Sequence, residues 1–174
     1  HIATGLDFPF GASTVKMKGL ETEEAVRLGC TALDMVMNIG ALKDKNYKEV
    51  KAGLDAFVKA AEGNLTKCIM DVNFLTDDEI IAGCNLIAEA GIDYAKTSTG
   101  QFEGPSMDQF LLMKKTLKDT DIKLKVAGVK FPRPQNAYAF LLAGADLIGP
   151  RAAVAIIDAL DQMREIGIVP PLQK

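Results

Sequence analysis

This 174-residue chain has a single histidine, three cysteines and no tryptophan, which leaves it little with which to hold a metal ion. The histidine is His1, and no H-E-x-x-H or paired-cysteine spacing accompanies it. No metal site and no other cofactor is expected. Cys30, Cys68 and Cys84 are odd in number and form no C-x-x-C pair. They read as reduced, mostly buried thiols of a cytoplasmic protein. A basic face with interleaved aromatics is also missing. The net charge is −3 and the isoelectric point near 5.2, which argues against a nucleic-acid partner. Long apolar runs are absent too: the stretch 138–149 is broken by Gly144 and Asp146 and is too short for a bilayer, so no membrane partner is expected. No signal peptide opens the chain. It begins at His rather than Met, inside strand-like sequence, and a processed or truncated chain is expected from that.

What the sequence does have is alternation. With 48% hydrophobic residues it is ordinary for a globular protein with a real core. Strand-like segments are predicted at 1–8, 33–39, 67–74, the stretch ending at Lys96, the stretch ending at Lys125, and 146–149. In 33–39, Leu33, Met35, Met37 and Ile39 alternate with Asp34, Val36 and Asn38. In 67–74, Asp71 and Asn73 share one face, with Cys68, Met70, Val72 and Phe74 opposite. Helices are predicted at 22–28, from Asn46 to Gly63, from Thr76 to Gly91, from Ser106 through Leu117, from Pro132 to Gly144, and over 152–165. Thr76-Asp-Asp-Glu79 has capping-box form, and Asn46 precedes Glu49 by three residues. The tail from Val169 to Leu172 is irregular.

Strands alternating with helices predict a parallel sheet of βα units in one domain, 1–174. The joints repeat in kind, in Leu28-Gly29-Cys-Thr-Ala-Leu-Asp34, Ala90-Gly91-Ile-Asp93 and Ala143-Gly144-Ala-Asp146. Six strands and six helices fit either an open doubly wound sheet or six of the eight units of a (β/α)8 TIM-type barrel. Polar residues in mid-strand favour the barrel, whose inward face turns polar towards its C-terminal mouth.

Lys96 is the residue that invites chemistry. It ends an apolar strand and enters the turn Thr97-Ser-Thr-Gly100. Burial lowers an amine's pKa, and a second nearby cation, Lys125 at the end of the next strand, lowers it further. Together they suggest imine chemistry. Asp34 suits a proton relay between two lysines, or simply balances their charge. Asp71 reads as an ion-pair partner. Gly128 and Gly149 end strands, where tight turns explain them, or where a ligand approaches the backbone.

Phe8-Pro-Phe-Gly11, Glu21-Thr-Glu-Glu-Ala25, Leu33-Asp-Met-Val-Met-Asn-Ile-Gly-Ala-Leu-Lys43, Leu75-Thr-Asp-Asp-Glu79 and Lys96-Thr-Ser-Thr-Gly100 resemble the deoxyribose-phosphate aldolase family, in order and spacing. The resemblance implies a TIM barrel and class I aldolase chemistry without metal. It makes Lys96 the imine-forming lysine, Lys125 the lysine that lowers its pKa, and Asp34 the acid/base carboxylate. The candidate substrate-binding residues are Asn38, Asp71, Asn73, Thr99, Gly100, Gly128, Lys130, Gly149 and Arg151.

Two departures from the family stand out. The first two βα units have no counterpart here, so an upstream segment or a second chain is expected to close the sheet. At the phosphate site the chain reads Ala127-Gly-Val-Lys-Phe-Pro-Arg-Pro134 and Gly149-Pro-Arg-Ala-Ala153. Pro150 has no N–H to offer, and Lys130, Arg133 and Arg151 are placed to supply charge instead. The expected reaction is cleavage of 2-deoxyribose 5-phosphate to acetaldehyde and glyceraldehyde 3-phosphate. A different, non-phosphorylated acceptor remains open, as does a non-catalytic barrel piece that assembles with a partner. The expected partners are a small aldehyde or sugar phosphate, and either further copies of the chain or the missing barrel segment.

Overall fold

The short apolar runs become strands β1 (Ala3–Leu6), β2 (Ala32–Val36), β3 (Leu65–Ile69), β4 (Tyr94–Lys96), β5 (Lys123–Ala127) and β6 (Leu147–Gly149). The computed structural model describes residues 1–171, so Leu172 of the irregular tail lies outside the described residues. Each strand pairs in parallel with the next, in the order β1-β2-β3-β4-β5-β6. That order decides between the two architectures. A doubly wound sheet reverses direction at a switch point to place helices on both faces. Without a reversal, right-handed crossovers put every helix on one face and leave the other as a barrel interior. The fold is six of the eight units of a (β/α) barrel.

The helices are α1 (Val15–Arg27), α2 (Ile39–Lys43), α3 (Tyr47–Ala60), α4 (Asp77–Ala90), α5 (Met107–Thr116), α6 (Arg133–Leu142), α7 (Ala153–Asp158) and α8 (Leu160–Glu165). Thr76 and Ser106 form capping boxes with Glu79 and Gln109, and Asn46 accepts from the Glu49 N–H. Outward-facing Leu33, Met35, Cys68, Ala95, Leu124 and Val126 are buried with Phe57, Ile80, Ile87, Phe110 and Phe140 in one core. Phe110 and Phe140 meet edge to face with centroids 5.5 Å apart.

Four expectations need correction. Helix α1 starts at Val15, seven residues before the predicted 22, because its buried face carries Lys18 and Thr22 and shows no apolar stripe. The predicted strand 33–39 ends at Val36, and Asn38 turns to cap α2, accepting from the Ala41 N–H at 3.0 Å. The predicted strand 67–74 ends at Ile69. Asp71 is left-handed (φ 45°) and a 3-10 turn runs over Val72–Phe74, so Asp71 and Asn73 do not share a strand face. The last predicted helix is two, broken at Ala159.

The repeated joint has a physical purpose. In each repeat the residue two past the glycine receives an N–H from the preceding strand. Asp93 accepts from Thr66 N and Thr66 Oγ1, both at 2.8 Å, and Asp146 from Leu124 N at 2.8 Å. Thr31 Oγ1 accepts from Ile2 N at 3.1 Å. Thr31, rather than Asp34, is therefore the equivalent of Asp93 and Asp146. These side chains lock the N-terminal ends of neighbouring strands and so fix the register above them. Asp93→Ala should lower stability by about 1–3 kcal/mol, the scale for losing hydrogen bonds to a charged acceptor. Asp146→Ala, which removes one bond, should cost less. Denaturant midpoints of the two variants check the order, and equal losses would deny the clamp.

Candidate active site

Strand alternation decides which side chains enter the barrel. In β2, Leu33 and Met35 point to the helices and Asp34 points inward. By the same period of two, β3 turns Lys67 inward, β4 Tyr94 and Lys96, and β5 Lys123 and Lys125. The parallel register sets Asp34 beside Lys67, and Lys96 beside Lys125. The result is one carboxylate ringed by three amines. Asp34 Oδ1 accepts from Lys67 Nζ at 2.8 Å, and Oδ2 from Lys96 Nζ at 2.9 Å and Lys125 Nζ at 2.7 Å. Asp34, Lys67 and Lys96 are 5%, 3% and 8% exposed, so water screens these charges poorly.

The electrostatics follow from this count of charges. Burial alone would raise the Asp34 pKa, but the Lys96 charge and hydrogen bonds from Lys125, Lys67 and Lys96 outweigh it and hold the carboxyl at about 2. Burial pushes Lys96 below the ordinary lysine range. The Asp34 carboxylate opposes that shift, and the charges of Lys125 and Lys67 assist it. A buried amine with two like neighbours and one shared counter-ion gives up its proton more readily than a surface lysine, which is what a nitrogen nucleophile requires.

The backbone at Lys96 is held from both sides. Met70 N donates to Lys96 O, Val72 N to Thr97 O and Thr97 N to Lys125 O, all at 3.0 Å. Thr97 Oγ1 donates to Ala127 O at 3.3 Å and accepts from Ala127 N at 3.1 Å. Asp71, fully buried, accepts from Thr99 N at 2.6 Å. Burial raises the Asp71 carboxyl pKa, against the lowering effects of Thr99 and Lys96. Its bonding shows a brace for the turn after Lys96, in place of the expected ion-pair partner.

Two openings meet at Thr99. One, of about 380 Å³, is lined by Ala3, Thr4, Gly5, Phe8, Asp34, Ile69, Lys96 and Thr99. The other, of about 490 Å³, is lined by Thr99, Gly100, Gln101, Phe102, Gly128, Val129, Lys130, Phe131, Arg133, Gly149, Pro150 and Arg151. Six of the expected substrate-binding residues are thus brought together: Thr99, Gly100, Gly128, Lys130, Gly149 and Arg151. Asn38, Asp71 and Asn73 line neither opening. Gly128 also has a packing reason, since it has φ +75° and lies against Gly104, where a Cβ would come within 1.9 Å of Gly128 O. Lys130 pairs with Glu103 at 2.5 Å, while Arg133 and Arg151 make no ion pair among the described residues.

Sequence reading missed Lys67, Lys18 and Phe8. The predicted strand 67–74 begins at Lys67, whereas Leu65 and Thr66 precede it in β3 and place it in the middle. Lys18, 2% exposed, pairs with Asp7 and donates to Gly11 O and Val36 O at 3.1 Å, pinning the loop that carries Phe8. No metal-binding group of His, Cys, Asp and Glu occurs among the described residues, and no described helix is long and apolar enough to cross a membrane.

The chain is similar to deoxyribose-phosphate aldolase 1 of Mesoplasma florum, at 41% identity over 90% of this chain and 70% of that protein. The deoxyribose-phosphate aldolase of Streptococcus sanguinis matches at 41% over the same shares. Among solved structures, a Coccidioides immitis protein assigned as a deoxyribose-phosphate aldolase superposes with a TM-score of 0.86 at 32% identity, covering 91% of this chain and 64% of that one. No family model matches the chain.

Removing the central carboxylate exposes the charge imbalance. Asp34→Ala leaves three amines without their counter-ion and should destabilise the fold by about 3–5 kcal/mol near pH 7, the scale for breaking a buried pair. Lys96, whose pKa burial lowers, gives up its proton as the pH rises, so the deficit relative to wild type should shrink by pH 10. Urea unfolding at the two pH values checks this, and a pH-independent deficit would contradict it.

Proposed function

Because the chain belongs to the deoxyribose-phosphate aldolase family, we propose that it is a class I aldolase cleaving 2-deoxyribose 5-phosphate to acetaldehyde and glyceraldehyde 3-phosphate. The observation that carries this reading is Lys96, a buried lysine with a lowered pKa that lines an opening and shares one carboxylate oxygen with Lys125.

In the proposed reaction, neutral Lys96 attacks C1 of the open-chain sugar to give a carbinolamine. Loss of water gives the iminium. Asp34, acting through water and with the Lys125 ammonium beside it, takes the proton of the C3 hydroxyl, which the same water later returns to C2. The C2–C3 bond breaks, its electron pair moves to the iminium nitrogen, and C3 leaves as the aldehyde carbon of glyceraldehyde 3-phosphate. The enamine left on Lys96 is protonated at C2 and hydrolysed to acetaldehyde, which frees the amine. The iminium is the electron sink throughout.

With a carboxyl at about 2, Asp34 is a weak base by itself. In this proposal the proton is therefore passed on through water rather than kept on the carboxylate, and Asp34 also holds the amines in place. The opening that carries Arg133, Arg151 and Lys130 would receive the phosphate end of the sugar, by side-chain charge where Pro150 has no N–H to give.

The apolar side chains of Ile2, Leu142, Val154 and Ile157 are exposed at the two ends of the sheet. They support two further βα units between β6 and β1 in the assembled enzyme, supplied by the same gene product or by another chain. The three unpaired cysteines are consistent with a reducing, cytoplasmic setting.

Acetaldehyde with borohydride should add a two-carbon adduct to Lys96 in the assembled enzyme, as read by peptide mapping, and Lys96→Met should abolish it with the fold retained. An adduct only on Lys125 would overturn the assignment of roles. Arg151→Ala should raise KM for 2-deoxyribose 5-phosphate at least ~10-fold, the scale of one lost charged hydrogen bond. The same variant should leave turnover of unphosphorylated 2-deoxyribose unchanged. Equal losses on both sugars would place the phosphate elsewhere.

A further inference from the structure

We propose that Lys67 is a positioning residue of the Schiff-base site: it anchors Oδ1 of Asp34 so that Oδ2 alone faces both Lys96 and Lys125. This inference rests on the aldolase reading above.

Lys67 is placed for that task and for little else. Its Nζ meets Asp34 Oδ1 at 2.8 Å and has no other hydrogen-bond partner among the described residues. At 3% exposure it does not reach bulk water, and it lines neither opening. In register it pairs with Asp34 and Tyr94, whereas Lys96 pairs with Ile69 two residues further along β3. The backbone of Lys67 thus lies roughly 7 Å deeper along the barrel than that of Lys96, at the strand rise of ~3.3 Å per residue, although both amines reach the same carboxylate. It touches the carboxylate from below while substrate arrives from above.

The need for such an anchor comes from the chemistry at Lys96. During turnover that nitrogen is an ammonium, then a neutral amine, an iminium and an enamine, so its charge and its hydrogen bond to Asp34 come and go. A carboxylate held only through Oδ2 would turn about its Cβ–Cγ bond whenever the Lys96 partner is lost. Lys67 remains on the other oxygen through every step. Its positive charge also favours the neutral form of Lys96. The titratable and charged groups facing Asp34 and Lys67 inside the sheet are Lys96 and Tyr94 on β4 and Lys125 and Lys123 on β5. Strand β1 turns only Ala3 and Gly5 towards them.

The test is the pH dependence of borohydride trapping with acetaldehyde, on the assembled enzyme and on Lys67→Met, Lys67→Gln and Lys67→Arg. Without the Lys67 charge, Lys96 holds its proton more tightly and Asp34 loses one partner. The half-maximal pH of trapping in Lys67→Met and Lys67→Gln should therefore rise by about half to one unit, which is a roughly 3- to 10-fold loss at a fixed pH below the midpoint. Lys67→Arg keeps the charge and should keep the wild-type midpoint. A merely structural lysine would lower the trapped fraction equally at every pH. An unmoved midpoint in Lys67→Met overturns the proposal, and so does failure of both uncharged variants to fold by circular dichroism, since the charge would then serve the fold. No adduct on Lys96 in the wild type would instead sink the aldolase reading itself.

Discussion

One buried carboxylate holds the inner face of this sheet together. Asp34 neutralises a single charge among Lys67, Lys96 and Lys125, all within 2.9 Å of its oxygens. Two unit charges about 4 Å apart interact by roughly 4 kcal/mol at an effective dielectric of ~20, so one counter-ion cannot satisfy three ammonium groups out of water. Something in the cluster has to give up a proton. The carboxyl cannot be what relaxes, since three donors keep it ionised. Lys96, deeply buried and flanked by two like charges, has its pKa lowered. The imbalance that would be a defect in a structural core is the property that suits an amine nucleophile.

The rest of the molecule keeps that arrangement from relaxing. At the lower end of the sheet, Thr31, Asp93 and Asp146 tie β2, β4 and β6 to the strands before them. At the upper end, Thr97 and Asp71 tie the turn after Lys96 to β5 and β3. A lysine on a loosely held loop would swing into solvent and recover its ordinary pKa. Behind the sheet, Lys18 secures the loop of Phe8 and Phe10 through two carbonyls and Asp7. Phe10, Phe74 and Phe102 then gather over the mouth, with centroids 6.3 and 5.1 Å apart.

The amine cluster and the cationic lining are separated in space yet meet at Thr99. The amine cluster lines one opening, and the cationic lining of Lys130, Arg133 and Arg151 belongs to the other. Lys96-Thr-Ser-Thr-Gly100 runs between them, so the turn that holds the amine also borders the cationic opening. Gly104 and Gly128 bring the loops after β4 and β5 into backbone contact.

Much of this was legible in the sequence because it depends on local physics. Period-two alternation brought Asp34 and Lys125 to the inner face, the capping-box pattern at Thr76 marked a helix start, and the Gly-x-Asp joints announced repeated units. Lys96 stood out because a lysine at the end of an apolar strand is anomalous in any fold. Where local pattern and tertiary use diverged, the sequence misled. A helix whose buried face holds Lys18 and Thr22 shows no stripe, and a strand pattern continues past Val36 and Ile69 although the chain there turns to cap or brace. Tertiary structure alone decided that Lys67 is the third amine on Asp34. The reason is register: which residues of neighbouring strands meet depends on pairing between segments thirty residues apart, and no local signal carries that information.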